Sequence, residues 1–191
     1  ECLEQLQDLA SEIETYTGIE HATLLEHIGA CTTDTELLVT TGLIEQCEML
    51  IASHLQDQAA LSRREAVLDG LASLGYEVRE GMATAWAEDG KVVLRKAATP
   101  GYGVEVGGKA DNGRLQVRAI ALSSDRDKAR DRDIETIWCG EFQRLQALLK
   151  DKGSELLIER ALSVGEVPLK ETNISEPGAE TIAAQQKKLH K

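Results

Sequence analysis

Apolar residues recur every three or four positions through the first third of the chain and every second position through its middle. Leu3, Leu6, Leu9, Ile13 and Tyr16 form one stripe among Glu, Gln and Asp. This spacing predicts an amphipathic helix over 2–17, with Gly18 as its stop. Leu24, Leu25 and Ile28 predict a shorter helix over 19–31. Thr33-Asp34-Thr35-Glu36 has capping-box spacing and predicts a helix from 34 to 60. That helix would turn Leu37, Leu43, Ile44, Cys47, Leu50, Ile51 and Leu55 inward. Gly42 weakens its first turns by about 1 kcal/mol relative to alanine. Ser62-Arg63-Arg64-Glu65 repeats the capping-box spacing and predicts a separate helix to Leu74, closed by Gly75. Gly18, Gly29 and Gly42 break the stripes too often for a long coiled coil. The prediction is a helical hairpin or small bundle, whose stripes a second copy of the chain could cover as a homodimer.

Beyond Gly75 the period changes. Four runs, 76–87, 91–98, 102–108 and 114–122, are separated by Glu88-Asp89-Gly90, Thr99-Pro100-Gly101 and Asp111-Asn112-Gly113. Asp-Gly, Pro-Gly and Asn-Gly are strong turn dipeptides, so the runs read as an antiparallel meander. Alternation sorts its faces: Tyr102, Val104, Val106, Leu115, Val117 and Ala119 on one, Gly103, Glu105, Arg114, Gln116 and Arg118 on the other. The apolar face needs a cover. A helix over 125–152, with Ile134, Ile137, Trp138, Phe142, Leu145, Leu148 and Leu149 as its stripe, supplies it. Residues 155–162 suit either a fifth strand or a short helix, and Gly165-Glu166-Val167-Pro168 suits a turn. The predicted fold is α+β: an N-terminal helical hairpin or bundle (1–75), then a domain over 76–170 with a four- to five-stranded antiparallel meander covered on one face by a helix. Residues 171–191 are predicted to be a polar, loosely ordered tail.

Composition adds a charge asymmetry. The 191 residues carry a formal net charge of −12. Residues 1–75 hold 14 Asp and Glu against Arg63 and Arg64, whereas 76–191 hold 19 acidic and 19 basic residues. The net charge therefore belongs to the helical part, which would repel phosphates and anionic membranes and attract a basic protein. No apolar run approaches the roughly 20 residues of a membrane span, so no membrane partner is expected. The chain opens on Glu1 rather than Met, as a processed product or a fragment of a longer chain would. Cys2, Cys31, Cys47 and Cys139 include no Cys-x-x-Cys pair and read as free, mostly buried thiols of a reducing compartment.

Catalytic patterns are hard to assemble. His21 and His27 are six apart and do not share a helix face, so no metal or cofactor is expected. Cys139 sits beside Trp138 on an expected buried stripe, and no histidine occurs within 55–189 to activate it or a serine. The glycines of 101–108 lack both the order and the ending of a phosphate loop. A nuclease-like pairing of Asp89 with Glu105 lacks the lysine such a site needs two residues after the glutamate, where Gly107 stands. Lys91 to Arg132 contains ten basic and five acidic residues, but no exposed aromatic is interleaved with them.

The functional expectation is a non-catalytic protein–protein interaction or assembly module, bacterial and cytoplasmic. Its expected partner is a protein of basic character. Glu12, Glu14, Glu45 and Glu48 are the candidate acidic docking residues. Arg95, Arg114, Gln116 and Arg118 are the candidate polar sheet-face residues. The alternative is a nucleic-acid or nucleotide-binding module using that basic face in a defence or regulatory system.

Overall fold

The computed structural model describes residues 1–16, 21–109, 114–123, 126–153, 164–165 and 168–172, the side chains of Lys109 and Arg114 excepted. Among these the architecture is mixed: five α-helices and a four-stranded sheet, antiparallel except for one pair, with a helical N-terminal part. The chain forms two compact units that divide between Ala60 and Leu61.

The first unit holds α1 (Cys2–Glu14), α2 (Ala22–Gly29) and the beginning of α3 (Leu37–Ser73). Leu6 and Ile13 of α1, Ile28 of α2, and Leu43, Ile44 and Cys47 of α3 form its buried core. Leu6 and Ile13 are seven apart, and Cys47 is four from Leu43 and three from Ile44, so narrow helical stripes close on one another with Ile28 between them in sequence. Two of the residues expected inward are not: Leu37 is 66% and Leu55 55% exposed. At 100° per residue Leu43, Ile44, Cys47, Leu50 and Ile51 share an arc that Leu37 and Leu55 fall outside.

The helix α3 is continuous where two helices were expected. Ser62-Arg63-Arg64-Glu65 has the spacing of a cap but lies among good helix formers, and no Gly or Pro between Leu43 and Asp69 breaks the chain there. A capping box stabilises an end; it does not create one. At the true start Thr35 Oγ1 accepts from the Thr32 N–H at 2.8 Å, and the helix begins at Leu37 rather than at 34.

The second unit contains the end of α3, α4 (Met82–Asp89), the sheet and α5 (Asp131–Asp151). The run expected as a first strand over 76–87 is instead a single bridge, Tyr76 to Lys96, followed by α4. Alternation stops after Val78, and Met82-Ala83-Thr84-Ala85-Trp86-Ala87 is rich in alanine. As a helix it brings Met82 and Trp86, four apart, onto one side, while glycines with positive φ (Gly81, 79°; Gly90, 71°) stand at both ends. Trp86 is 1% exposed and donates from Nε1 to the Gly108 carbonyl at 3.2 Å.

The sheet runs in the order β1 (Lys91–Arg95), β2 (Tyr102–Lys109), β3 (Arg114–Ala121), β4 (Lys170–Glu171). The first three strands are the expected antiparallel meander. The fourth is a correction: β4 lies parallel to β3, Ile120 opposite Lys170 and Ala121 opposite Glu171. The chain reaches β4 through α5, the long crossover that parallel pairing requires. The expected strand or helix over 155–162 lies outside the described residues, as does the tail from 173.

The register confirms the expected faces. Val92, Leu94, Tyr102, Val104, Val106, Ala119 and Ala121 are buried on one side. Their cover is not a single helix. Ile134, Trp138, Leu145 and Leu149 of α5 share this core with Val67, Leu68 and Leu71 of α3 and with Trp86 of α4. A helix is about 10 Å wide and strands lie about 4.8 Å apart, so one helix cannot span the sheet. The end of α3 and α5 approach closely at Gly70, where an added Cβ would lie 2.6 Å from Leu145 Cδ1. Two residues of α5 expected to face inward are exposed: Ile137, 47%, and Cys139.

Two polar clusters anchor the second unit. Arg126, with its side chain 5% exposed, donates to Asp131 from Nε (3.0 Å) and Nη2 (2.9 Å), and from Nη1 to Glu171 at 2.7 Å. Tyr102 also donates to Asp131, at 2.9 Å, so the start of α5, β2 and β4 converge on one guanidinium–carboxylate pair. The Arg126 guanidinium holds the Asp131 carboxyl below the usual carboxylate range. In the other cluster buried Glu141 accepts from Tyr76 at 2.6 Å and from Lys96. Burial, and then Glu141, push the Tyr76 phenol far up.

Candidate functional site

Two surfaces answer to the sequence-based candidates, one in each unit.

In the first unit the segment Glu1–Ala60 contains twelve Asp and Glu and not one Lys or Arg. Of the four acidic candidates, Glu12 is engaged within the unit: it accepts from the Tyr16 hydroxyl at 2.6 Å, and the Tyr16 ring stacks on His54 at 4.3 Å. Glu14 is exposed on the last turn of α1. Glu45 and Glu48 are exposed on α3. Around them stand apolar side chains that pattern reading missed or placed inward. Leu38 is 81% exposed, Met49 64% and Leu55 55%. Leu38, Glu45 and Met49 are spaced by seven and four and lie on the side of α3 away from its buried stripe, whereas Glu48, Ala52 and Leu55, spaced by four and three, run between that side and the stripe's edge. The missed signal was available. A helix with apolar residues around most of its circumference has more than one apolar stripe.

In the second unit the polar sheet face is organised around Glu105. Glu105, which alternation places on the polar face, is only 5% exposed. It lies opposite Arg118 in the β2–β3 register. Arg118 Nε donates to Glu105 Oε1 at 2.9 Å, and its Nη2 contacts the same oxygen. Lys170 Nζ lies 2.9 Å from Oε2 and 3.1 Å from Oε1, and Lys91 Nζ lies 3.6 Å from Oε2. Burial pushes the carboxyl up, but the hydrogen bonds of Lys170 and Arg118 more than offset it and leave Glu105 at about 2. Glu105 is therefore an anion at any physiological pH.

The register places Arg95, Gln116 and Arg118 on this face, as expected. Arg95 is half-buried, Gln116 and Arg118 are exposed, and Arg114 pairs with Lys109 at the end of β2–β3. Sequence reasoning placed Glu105 on this face without naming it as a candidate, and missed Lys91 and Lys170 as members. Glycines at 103 and 107, two residues either side of Glu105, mark a site where neighbouring side chains can close over a carboxylate. Lys170 had no comparable signal, because a two-residue parallel strand has no period.

Among the described residues, no group of three or more His, Cys, Asp or Glu is arranged to hold a metal. No helix among them is long and apolar enough to cross a membrane. Comparison with protein families, with curated proteins and with solved structures found no match.

Proposed function

We propose that the chain is a non-catalytic docking module, and that its first unit captures a basic protein segment on the exposed face of α3. The observation that carries this reading is the juxtaposition of exposed Leu38 and Met49 with Glu45 on one helical face, with exposed Glu48 and Leu55 at its flank. Exposed apolar side chains are unremarkable singly, but several on one face with like charges between them form an anchor-and-rim surface. A fitting partner is an amphipathic segment whose apolar side chains cover Leu38 and Met49 and whose Lys or Arg pair with Glu45 and Glu48. The segment Glu1–Ala60 has no Lys or Arg to compete for those carboxylates.

The test is capture from host extract with the full chain and with two variants, Met49→Asp and Glu45→Lys/Glu48→Lys, with and without nuclease. A protein retained after nuclease treatment, and recovered at least about tenfold less by both variants, supports the reading. Equal recovery by the wild type and both variants overturns it. A second copy of the chain is a further candidate for the same face, and sedimentation of the purified protein identifies it.

A further inference from the structure

We infer that the polar face of the sheet binds a nucleic-acid strand through its phosphates, with Lys91, Arg118 and Lys170 as the contacts and Glu105 as the residue that positions them. This surface belongs to the second unit and is independent of the docking face on α3.

Three cations converge on one carboxylate. One would suffice to neutralise it, so two positive charges remain. The side chains are 53% (Arg118), 52% (Lys91) and 40% (Lys170) exposed, and the carboxylate beneath them is almost wholly covered. An incoming anion therefore meets donors rather than Glu105. Arg118 has five N–H donors and Lys170 three, so both keep donors to offer after contacting Glu105. Because Glu105 already holds these long side chains in place, less rotamer freedom is lost on binding.

The shape of the site selects a polymer. The cations come from three different strands, with β2 and its carboxylate lying between β1 and β3. The register adds two more basic positions, Lys109 opposite Arg114, four residues along the strands from Glu105 and Arg118. Strands lie about 4.8 Å apart and four residues along one strand span about 13 Å, so basic positions run both across and along this face. That spread suits a chain carrying several charges better than one small anion. Gly107 flanks Glu105 on the same face and presents no side chain to hold such a chain away, whereas at the other side Gly103 and Ile120 are buried. The only aromatic residue in the four strands, Tyr102, is on the opposite face. These four strands offer bases nothing to stack on, so recognition is of the backbone and is independent of sequence.

The test is fluorescence anisotropy of the full chain with a labelled 20-nucleotide oligo-dT and a mixed-sequence strand, titrated at salt concentrations from 25 to 200 mM. Three phosphate contacts on a single strand give a log–log salt slope of about −2, or about a twentyfold loss between 50 and 200 mM. The two strands should bind alike. Lys91→Gln and Lys170→Gln should each flatten the slope by about 0.7. Gln116→Glu adds a carboxylate to the face without removing any contact to Glu105. It should weaken binding several-fold while the urea midpoint stays unchanged, which a purely structural role for the cations would not produce. Absence of binding at 25 mM salt, or a slope that none of the three variants alters, overturns the inference. So does equal displacement of the oligonucleotide by polyglutamate of matched charge, which would assign the face to an acidic protein.

Discussion

Glu105 on β2 and Arg118 on β3 sit directly opposite one another, and the Arg118 Nε donates to Glu105 Oε1 at 2.9 Å. The contact converts what alternation describes as a row of solvated polar residues into a covered carboxylate with a ring of cations. Its folded-state pKa of about 2 lies below the ordinary glutamate value of 4.5. The stability this provides is fully present above pH about 4.5 and is lost as pH falls through 2.

Replacing this carboxylate should therefore remove a pH dependence as well as stability. Glu105→Gln is expected to cost about 1–3 kcal/mol at pH 7, the half-exposed cations limiting the value. Between pH 5 and 2 the variant should lose less stability than the wild type. Urea denaturation at pH 7, 4 and 3 measures both effects. Parallel pH profiles would show that Glu105 is not the titrating group.

The Arg126 cluster should respond asymmetrically to loss of its two acids. Asp131→Asn leaves a guanidinium that is 5% exposed without its bidentate carboxylate, and about 2–4 kcal/mol should be lost. Glu171 is 46% exposed, so Glu171→Gln should cost clearly less. Chemical denaturation of the two variants side by side tests the order, and a larger loss for Glu171→Gln would be inconsistent with this geometry.

Two glycine substitutions should move stability in opposite directions. An added Cβ at Gly103 would lie 2.4 Å from the Leu94 carbonyl oxygen, so Gly103→Ala must push β1 from β2 and should cost at least about 1–3 kcal/mol. At Gly42, inside α3, an added Cβ meets nothing within 4 Å, and Gly42→Ala should stabilise by up to about 1 kcal/mol. Thermal melting of both variants gives the signs directly.

The exposed apolar residues of α3 should be dispensable for folding. Leu38→Gln and Met49→Gln are expected to change stability by no more than about 0.5 kcal/mol while abolishing capture of the partner. A large loss of stability in either variant would instead identify these side chains as part of a packed interior.

Local pattern was informative wherever one period ran long enough to distinguish a covered face from an open one. The stripe from Ile134 to Leu149 identified α5, and the alternation of Tyr102–Val106 and Leu115–Ala119 correctly sorted two strands. It failed for 76–87, where turn signals at both ends encouraged a strand although Met82 and Trp86 were already four apart. It also failed at Ser62, where cap spacing occurs inside a helix with nothing to end it.

The sequence by itself determined the α+β composition, the alternating faces of β2 and β3, and the confinement of the net negative charge to the helical part. These follow from residue type, short-range spacing and covalent order, which do not depend on distant contacts. Only the tertiary structure decided which polar residues meet. Lys170 reaches Glu105 across 65 positions because β4 returns parallel to β3, and Glu171 reaches Arg126 by the same return. It also decided that Leu38, Met49 and Leu55 face outward, since the side of α3 that is buried depends on where its neighbours pack. Pairing between distant segments is set by the whole chain's packing, which no local period encodes.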